Sequence, residues 1–189
     1  MLRPTEAACV LPMAVADYLA FEESSAVRHE FVAGEIHAMG GASRAHNKIS
    51  GNIFAHLHAG LRGGPCEFFI NDFKVRLEVA REEFFYYPDV VVSCHPRDIG
   101  QYFLGSPTLV VEVLSPTTET IDRREKHTHY RQAPMLEEYV LVAQDRREVT
   151  VFRRASGWQG EVFTTAEAQV EFRSVKHAMT IAEIYEGVF

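Results

Sequence analysis

Between Ser43 and Leu61 an apolar residue recurs at every fourth position from Ile49 through Ile53 and Leu57 to Leu61, which predicts one long amphipathic helix ended by Gly63-Gly64-Pro65. Upstream, "MAVADYLAFEESSAV" from Met13 predicts a shorter amphipathic helix, and "HEFVAGEIHAM" reads as two strands about Ala33-Gly34. Past the long helix the period changes. "CEFFI", "FKVRLEVA" and "FFYYPDVVVSC" are rich in aromatic and β-branched residues, and "TLVVEVLS" is almost continuously apolar, so four neighbouring strands are expected with the last one central. From about Thr118 to Ala133 the pattern is helical again, with Ser115, Thr117 and Thr118 as candidate caps and Pro134 as the stop. "EEYVLVA" and "REVTVFRR", parted by "QDR", give a further strand pair; "EVFTT" is one more candidate strand and "TIAEIYEGVF" a short last helix. A strand, a crossover helix and a strand over 108–143 predict an α/β chain built on a partly parallel mixed sheet with flanking helices.

One position breaks this pattern. Along the central strand Val110, Glu112 and Leu114 share one face while Leu109, Val111 and Val113 share the other, so Glu112 interrupts a hydrophobic face. An ionised carboxylate there costs several kcal/mol unless a cation or hydrogen bonds meet it. Asp89 makes a similar statement: it follows Pro88, where a turn residue is ordinary, yet it directly precedes three valines. If the two strands are neighbours, both carboxylates converge on one hard cation such as Mg²⁺. Such an ion acidifies water and stabilises charge on a phosphate under attack, and a nearby lysine would complete the chemistry of phosphodiester hydrolysis.

Composition narrows the class without deciding it. The 189 residues are 47% hydrophobic and 24% charged, the balance of one ordinary soluble domain. Cys9, Cys66 and Cys94 are odd in number and widely spaced, so no disulfide framework or zinc ribbon is expected, and a reducing cytoplasm fits. The apolar run near the start is short and flanked by Glu6 and Asp17, and no stretch has the length of a membrane span; neither export nor membrane insertion is expected. The net charge of −7 argues against a general basic coat for nucleic acid, although residues 121–160 hold eight Lys/Arg against six Asp/Glu. That local excess suits either phosphate contacts or a solvated helix face and hairpin rim. "HLH" at 56–58 and "HTH" at 127–129 resemble chelating pairs, but residues two apart on a helix diverge by about 200°, so neither pair closes on one metal.

Taken together, "YPDVVV", "VVEVLSPTT", "DRREKHTHYRQA" and "EEYVLV" resemble the Uma-type family of restriction-endonuclease-like proteins within the PD-(D/E)xK nuclease superfamily. The likeness runs from about Met13 to the C-terminus and is most specific over 86–142; "RHEFVAGEI" and "ASRAHNKISGNIFAHL" fit it more loosely. It implies a restriction-endonuclease-like core over 13–189, preceded by an extension over 1–12. The superfamily's usual lysine, two residues after the strand carboxylate, is Leu114 here; the resemblance implies that Lys126 of the following helix replaces it. Asp122, Lys126 and Tyr130 lie four apart and share a helix face, which makes Asp122 the partner of Lys126 and Tyr130 a packing residue. Glu30 falls where the family carries an acidic residue that orients the site or helps hold a second metal. His46, near the start of the long helix, is a candidate to approach the site or a phosphate. Lys74 stands where the family often has an acid.

The expectation is a Mg²⁺-dependent endonuclease, with Mn²⁺ as a substitute, acting on nucleic acid and foremost on DNA. Asp89, Glu112 and the Val113 carbonyl hold the metal, and Lys126 assists the attacking water. A homodimer in the cytoplasm, away from membranes, is the expected setting. The alternative is a catalytically inactive module that keeps the nuclease fold for nucleic-acid or protein binding.

Overall fold

The computed structural model describes residues 12–95, 98, 100–116 and 118–189. In chain order the elements are α1 (Val15–Ser24), β1 (His29–Val32), β2 (Glu35–Ala38), α2 (Arg44–Leu61), β3 (Glu67–Ile70), β4 (Lys74–Val79), β5 (Glu82–Tyr86), β6 (Val90–Ser93), β7 (Phe103–Leu104), β8 (Leu109–Leu114), α3 (Glu119–Ile121), a π turn (Asp122–Lys126), α4 (His127–Tyr130), β9 (Glu138–Ala143), β10 (Val149–Arg153), β11 (Gly160–Phe163), β12 (Gln169–Phe172), β13 (His177–Thr180) and α5 (Ile181–Ile184). The larger sheet has the order β11-β10-β9-β8-β6-β3, with β8 and β9 parallel across the helical crossover and the other pairs antiparallel. The second sheet runs β2-β1-β5-β4-β7. The class is the mixed α/β arrangement that the strand-helix-strand pattern predicts.

Two hydrophobic layers account for the alternation along β8. Leu109, Val111 and Val113 pack with the α2 stripe Ile49, Ile53 and Leu57, and with residues of α5 and the β12–β13 hairpin. Val110 and Leu114 face the other way, into a layer with Val75, Leu77, Phe84 and Tyr86 of the second sheet and Tyr130 of the crossover. Glu112 lies on this second face, between two sheets, where water has little access. Each large aliphatic or aromatic side chain so buried contributes roughly 1.5–3 kcal/mol.

Three expectations change. "FFYYPDVVVSC" is two strands in different sheets, not one: Pro88 has no N–H for a ladder, and the chain crosses from β5 to β6 at Tyr87-Pro88-Asp89. The four strands expected to lie together are therefore divided between two sheets. The helix expected over Thr118–Ala133 is interrupted by the π turn. Finally, Cys66 and Cys94 form a disulfide (S–S 2.07 Å) although they are 28 residues apart. They flank the β3–β6 ladder, in which Glu67 pairs with Ser93, so antiparallel pairing makes neighbours of cysteines whose spacing gave no such sign.

Most of the expected extension over 1–12, including Cys9, lies outside the described residues, as does the candidate cap Thr117. Pro12 rests on the β1–β2 turn: a Cβ at Gly34, whose φ is +97°, would come within 2.4 Å of the Pro12 Cβ, so that turn requires glycine. Among the described residues no helix is long and apolar enough to cross a membrane.

Candidate active site

The β6–β8 register sets Val91 against Val110 and Val90 against Val111, so one further step places Asp89 opposite Glu112 on the face between the sheets. Where the ladder stops, the Asp89 side chain continues it: the Val113 N–H donates to Asp89 Oδ2 at 2.6 Å. Asp89 is thereby tied to the residue that follows Glu112. Pro88 delivers it there by ending β5's run of donors.

Lys126 comes to the same place from the crossover. Its Nζ lies 2.8 Å from Glu30, 3.2 Å from Asp122 and 3.4 Å from Glu112, and 5.3 Å from the centre of the Tyr86 ring. Lys126, Glu112 and Asp122 are each 5% exposed or less, which makes this a buried cluster and not a surface ion pair. Burial alone pushes the lysine pKa down, but Glu112, Glu30 and Asp122 outweigh it and hold the ammonium well above its ordinary range. For Glu112 burial works in the other direction: despite the relief from Lys126, it raises the pKa well above the usual carboxylate range, and Asp122, Asp89 and Glu30 add to the shift. One ammonium is shared among three carboxylates, with a fourth nearby. The cluster is short of positive charge.

The π turn is what brings Asp122 and Lys126 inward together. Its wider winding lets the His127 N–H donate to the Asp122 carbonyl, and Tyr139 of β9 adds its hydroxyl as a second donor to that carbonyl at 3.0 Å. Asp122 Oδ1 is itself buried and, apart from the ion pair with Lys126, has no hydrogen-bond partner. Tyr139→Phe should therefore cost about 0.5–1.5 kcal/mol, the net worth of one hydrogen bond, since the carbonyl keeps the His127 N–H. Urea unfolding would measure it, and a loss of cleavage larger than the stability change accounts for is expected alongside.

The start of α2 closes the site from another side. Ser43 caps the helix by accepting from His46 N at 3.1 Å, and its hydroxyl also bonds the Gln144 side chain. His46 Nε2 then lies 3.2 Å from Asp89 Oδ2, with the ring also facing the Val113 carbonyl. Burial tends to lower the imidazole pKa, but the hydrogen bond and charge of Asp89, together with that carbonyl, leave it raised. Beyond Glu112 a cleft of about 390 Å³ opens at the ends of β8 and β9, between Leu114-Ser115-Pro116, Glu119 and Ala143–Arg146.

All the sequence candidates thus meet in one region: Asp89, Glu112 and Val113 on β8 and its neighbour, Lys126 and Asp122 on the π turn, Glu30 on β1 and His46 on α2. Tyr130 is buried in the layer between the sheets. Lys74 lies elsewhere, its Nζ 3.2 Å from the Tyr87 hydroxyl, which in turn donates to buried Glu22 at 2.8 Å. Tyr139 and Glu22 carried no sequence signal, because a tyrosine in a buried strand and a glutamate on a short helix look like packing and surface. The histidine pairs diverge as their helices require: His127 lies beside Phe152 and His129 beside Phe84, while His56 meets His177 and His58 meets Phe54. The basic residues of 121–160 are largely committed to internal ties. Arg123 and Arg146 share Glu148, buried Arg153 pairs with Glu138, and Arg154 bonds the Leu136 carbonyl.

A divalent cation fits the donors present. Carboxylates and a carbonyl are hard oxygen ligands, and the excess of carboxylates over the one ammonium is what a cation would offset. Among the described residues no three His, Cys, Asp or Glu side chains already stand as a ligand set. Mg²⁺ has no need of a closed protein cage, since it keeps several waters.

Comparison with known proteins gives a consistent picture. The model of the Uma2 family, described as "Putative restriction endonuclease", matches residues 15–181. Uncharacterized protein slr1290 of Synechocystis is 34% identical over 174 residues, covering 91% of this chain and 90% of its own. A second Synechocystis protein, sll1609, also uncharacterized, is 32% identical over 169 residues, covering 87% and 94%. A crystal structure from Anabaena variabilis, described as a putative nuclease belonging to DUF820, has the same fold: TM-score 0.75 at 18% identity, over 94% of this chain and 100% of that one.

Proposed function

This chain belongs to the Uma2 family of "putative restriction endonuclease" proteins, and from that premise we propose that it is an endonuclease that hydrolyses DNA phosphodiester bonds with the help of a divalent metal ion. The observation that carries the reading is the buried Glu112–Lys126 pair, with half-buried Asp89 set opposite Glu112 by the β6–β8 register, a costly arrangement that packing does not need. Asp89 and Glu112, with the Val113 carbonyl, are the groups to hold the metal. A cation bound there supplies positive charge for the phosphate and makes water more acidic.

The chain's own residues do the rest. Lys126 is held by Glu30 and Asp122 with its Nζ toward Glu112, which positions an ammonium to stabilise charge on the attacked phosphate or to orient the attacking water. Burial strengthens that effect, because water screens it little. The open cleft beside β8 and β9, next to the first turn of α2, is the approach for a phosphate, and the positive end of the helix dipole there favours an anion.

Supercoiled plasmid is the substrate that tests this reading. With purified protein and Mg²⁺ or Mn²⁺, nicked and then linear DNA should accumulate, and EDTA should stop it. Intact plasmid under all conditions, with DNA retarded on a native gel, would instead favour a module that binds and does not cleave.

A further inference from the structure

We propose that His46 is itself a ligand of the metal, donating Nε2 beside the Asp89 carboxylate, and that the site therefore favours Mn²⁺ or another first-row transition ion over Mg²⁺. The inference rests on the reading that Asp89 and Glu112 hold a divalent cation, and it adds to that reading a nitrogen donor and a choice of metal.

Geometry carries it. His46 Nε2 stands 3.2 Å from Asp89 Oδ2, and two donors at adjacent corners of an octahedral ion with bonds near 2.1 Å are about 3 Å apart. The same ring faces the Val113 carbonyl, so one imidazole meets two of the three oxygens assigned to the metal. The side chain is only 14% exposed, as is that of Asp89, and it is fixed from below by the helix cap, since His46 N is the donor to Ser43 Oγ. A long helix aims it, so little ordering is lost on binding. The opposite ring nitrogen, Nδ1, is buried without a hydrogen-bond partner, so the only polar use this imidazole makes of its surroundings is directed at the proposed ligand oxygens.

Glu112 is the third donor, from β8; since no three such side chains already stand as a ligand set among the described residues, it joins His46 and Asp89 by turning from Lys126, whose Nζ lies 3.4 Å from it. Mg²⁺ is hard and prefers oxygen throughout, whereas imidazole is an ordinary ligand for the transition ions, whose affinity for nitrogen-containing sites rises from Mn²⁺ along the series. Replacing an oxygen or a water by Nε2 therefore shifts the balance away from Mg²⁺.

The test uses the full chain with Mn²⁺ as the probe. Pulsed electron paramagnetic resonance of the Mn²⁺ complex should show coupling to a directly bound ¹⁴N in the wild type and none in His46→Gln. Calorimetry should show Mn²⁺ affinity falling by roughly tenfold or more in that variant, with Mg²⁺ affinity nearly unchanged. A thermal melt of the variant without metal checks that the fold is kept. Mn²⁺ bound without ¹⁴N coupling, or coupling that survives in His46→Gln, overturns the role of His46 while leaving the carboxylate site standing. Mn²⁺ that fails to bind the wild type, or binds Glu112→Gln equally well, overturns the carboxylate site and the His46 inference with it.

Discussion

Replacing Lys126 with methionine should lower the rate of DNA cleavage by about 10²-fold or more while leaving Mn²⁺ affinity equal to or higher than that of the wild type. The two effects part because the lysine and the metal neutralise the same carboxylates. Removing the ammonium leaves Glu30, Glu112 and Asp122 facing one another in a buried site, each having lost a partner within 3.4 Å. Without metal the variant should be destabilised by about 3–5 kcal/mol, the usual cost of removing one member of a buried ion pair. Saturating Mn²⁺ should recover part of that loss, since the cation supplies the missing charge. Thermal melts with EDTA and with Mn²⁺, beside plasmid cleavage, measure both halves. A variant that cleaves at the wild-type rate would reduce Lys126 to a structural counter-ion.

Glu112→Gln should behave in the opposite way. Cleavage should fall by about 10³-fold or more, because the amide is a poor ligand for a hard cation and no neighbouring strand offers a replacement. Stability in EDTA should be equal or greater. Burial holds the Glu112 pKa well above the usual range, so ionising it works against the folded state. For an acid whose folded pKa is raised, wild-type stability falls as pH climbs from the unfolded value to the folded one, whereas the glutamine variant has no such loss. The stability gap should therefore widen in favour of the variant as pH rises through that window. Lys126 keeps Glu30 at 2.8 Å and Asp122 at 3.2 Å, so the lysine is not stranded. Gain of stability with loss of activity is the mark of a residue retained for function.

The Glu112 strand was legible because period two is a strict rule: a charged residue in a run such as Val110-Val111-Glu112-Val113-Leu114 must face either a core or a site. Its partner was legible for a related reason, since Asp89 stands next to three buried valines, and β6 and β8 do pair in the register that sets the two acids opposite each other. Lys126 was not legible from physics. A lysine on a predicted helix is ordinarily solvated, and only the family resemblance moved it inward. The π turn that buries it also receives a hydroxyl from Tyr139, which arrives from the next strand and leaves no local trace. The Cys66–Cys94 pair was hidden in the same manner, because it follows from strand register and not from spacing. Charge counting over 121–160 left phosphate contacts and a solvated rim equally open and gave no sign of the internal ties: Arg153 and Arg154 hold the β9–β10 corner, and Arg123 and Arg146 share one glutamate. What sequence periodicity supplies is the face a residue occupies; which distant side chain meets it there is decided by tertiary packing.

The central claim is that the Asp89–Glu112 pair is a metal site that serves hydrolysis. Calorimetric titration of Mn²⁺ into the metal-free wild type and into Glu112→Gln tests it most directly. The expected result is a saturable site in the wild type that is lost in the variant, with both proteins folded. Equal binding by the two, or no saturable binding to the wild type, would contradict it.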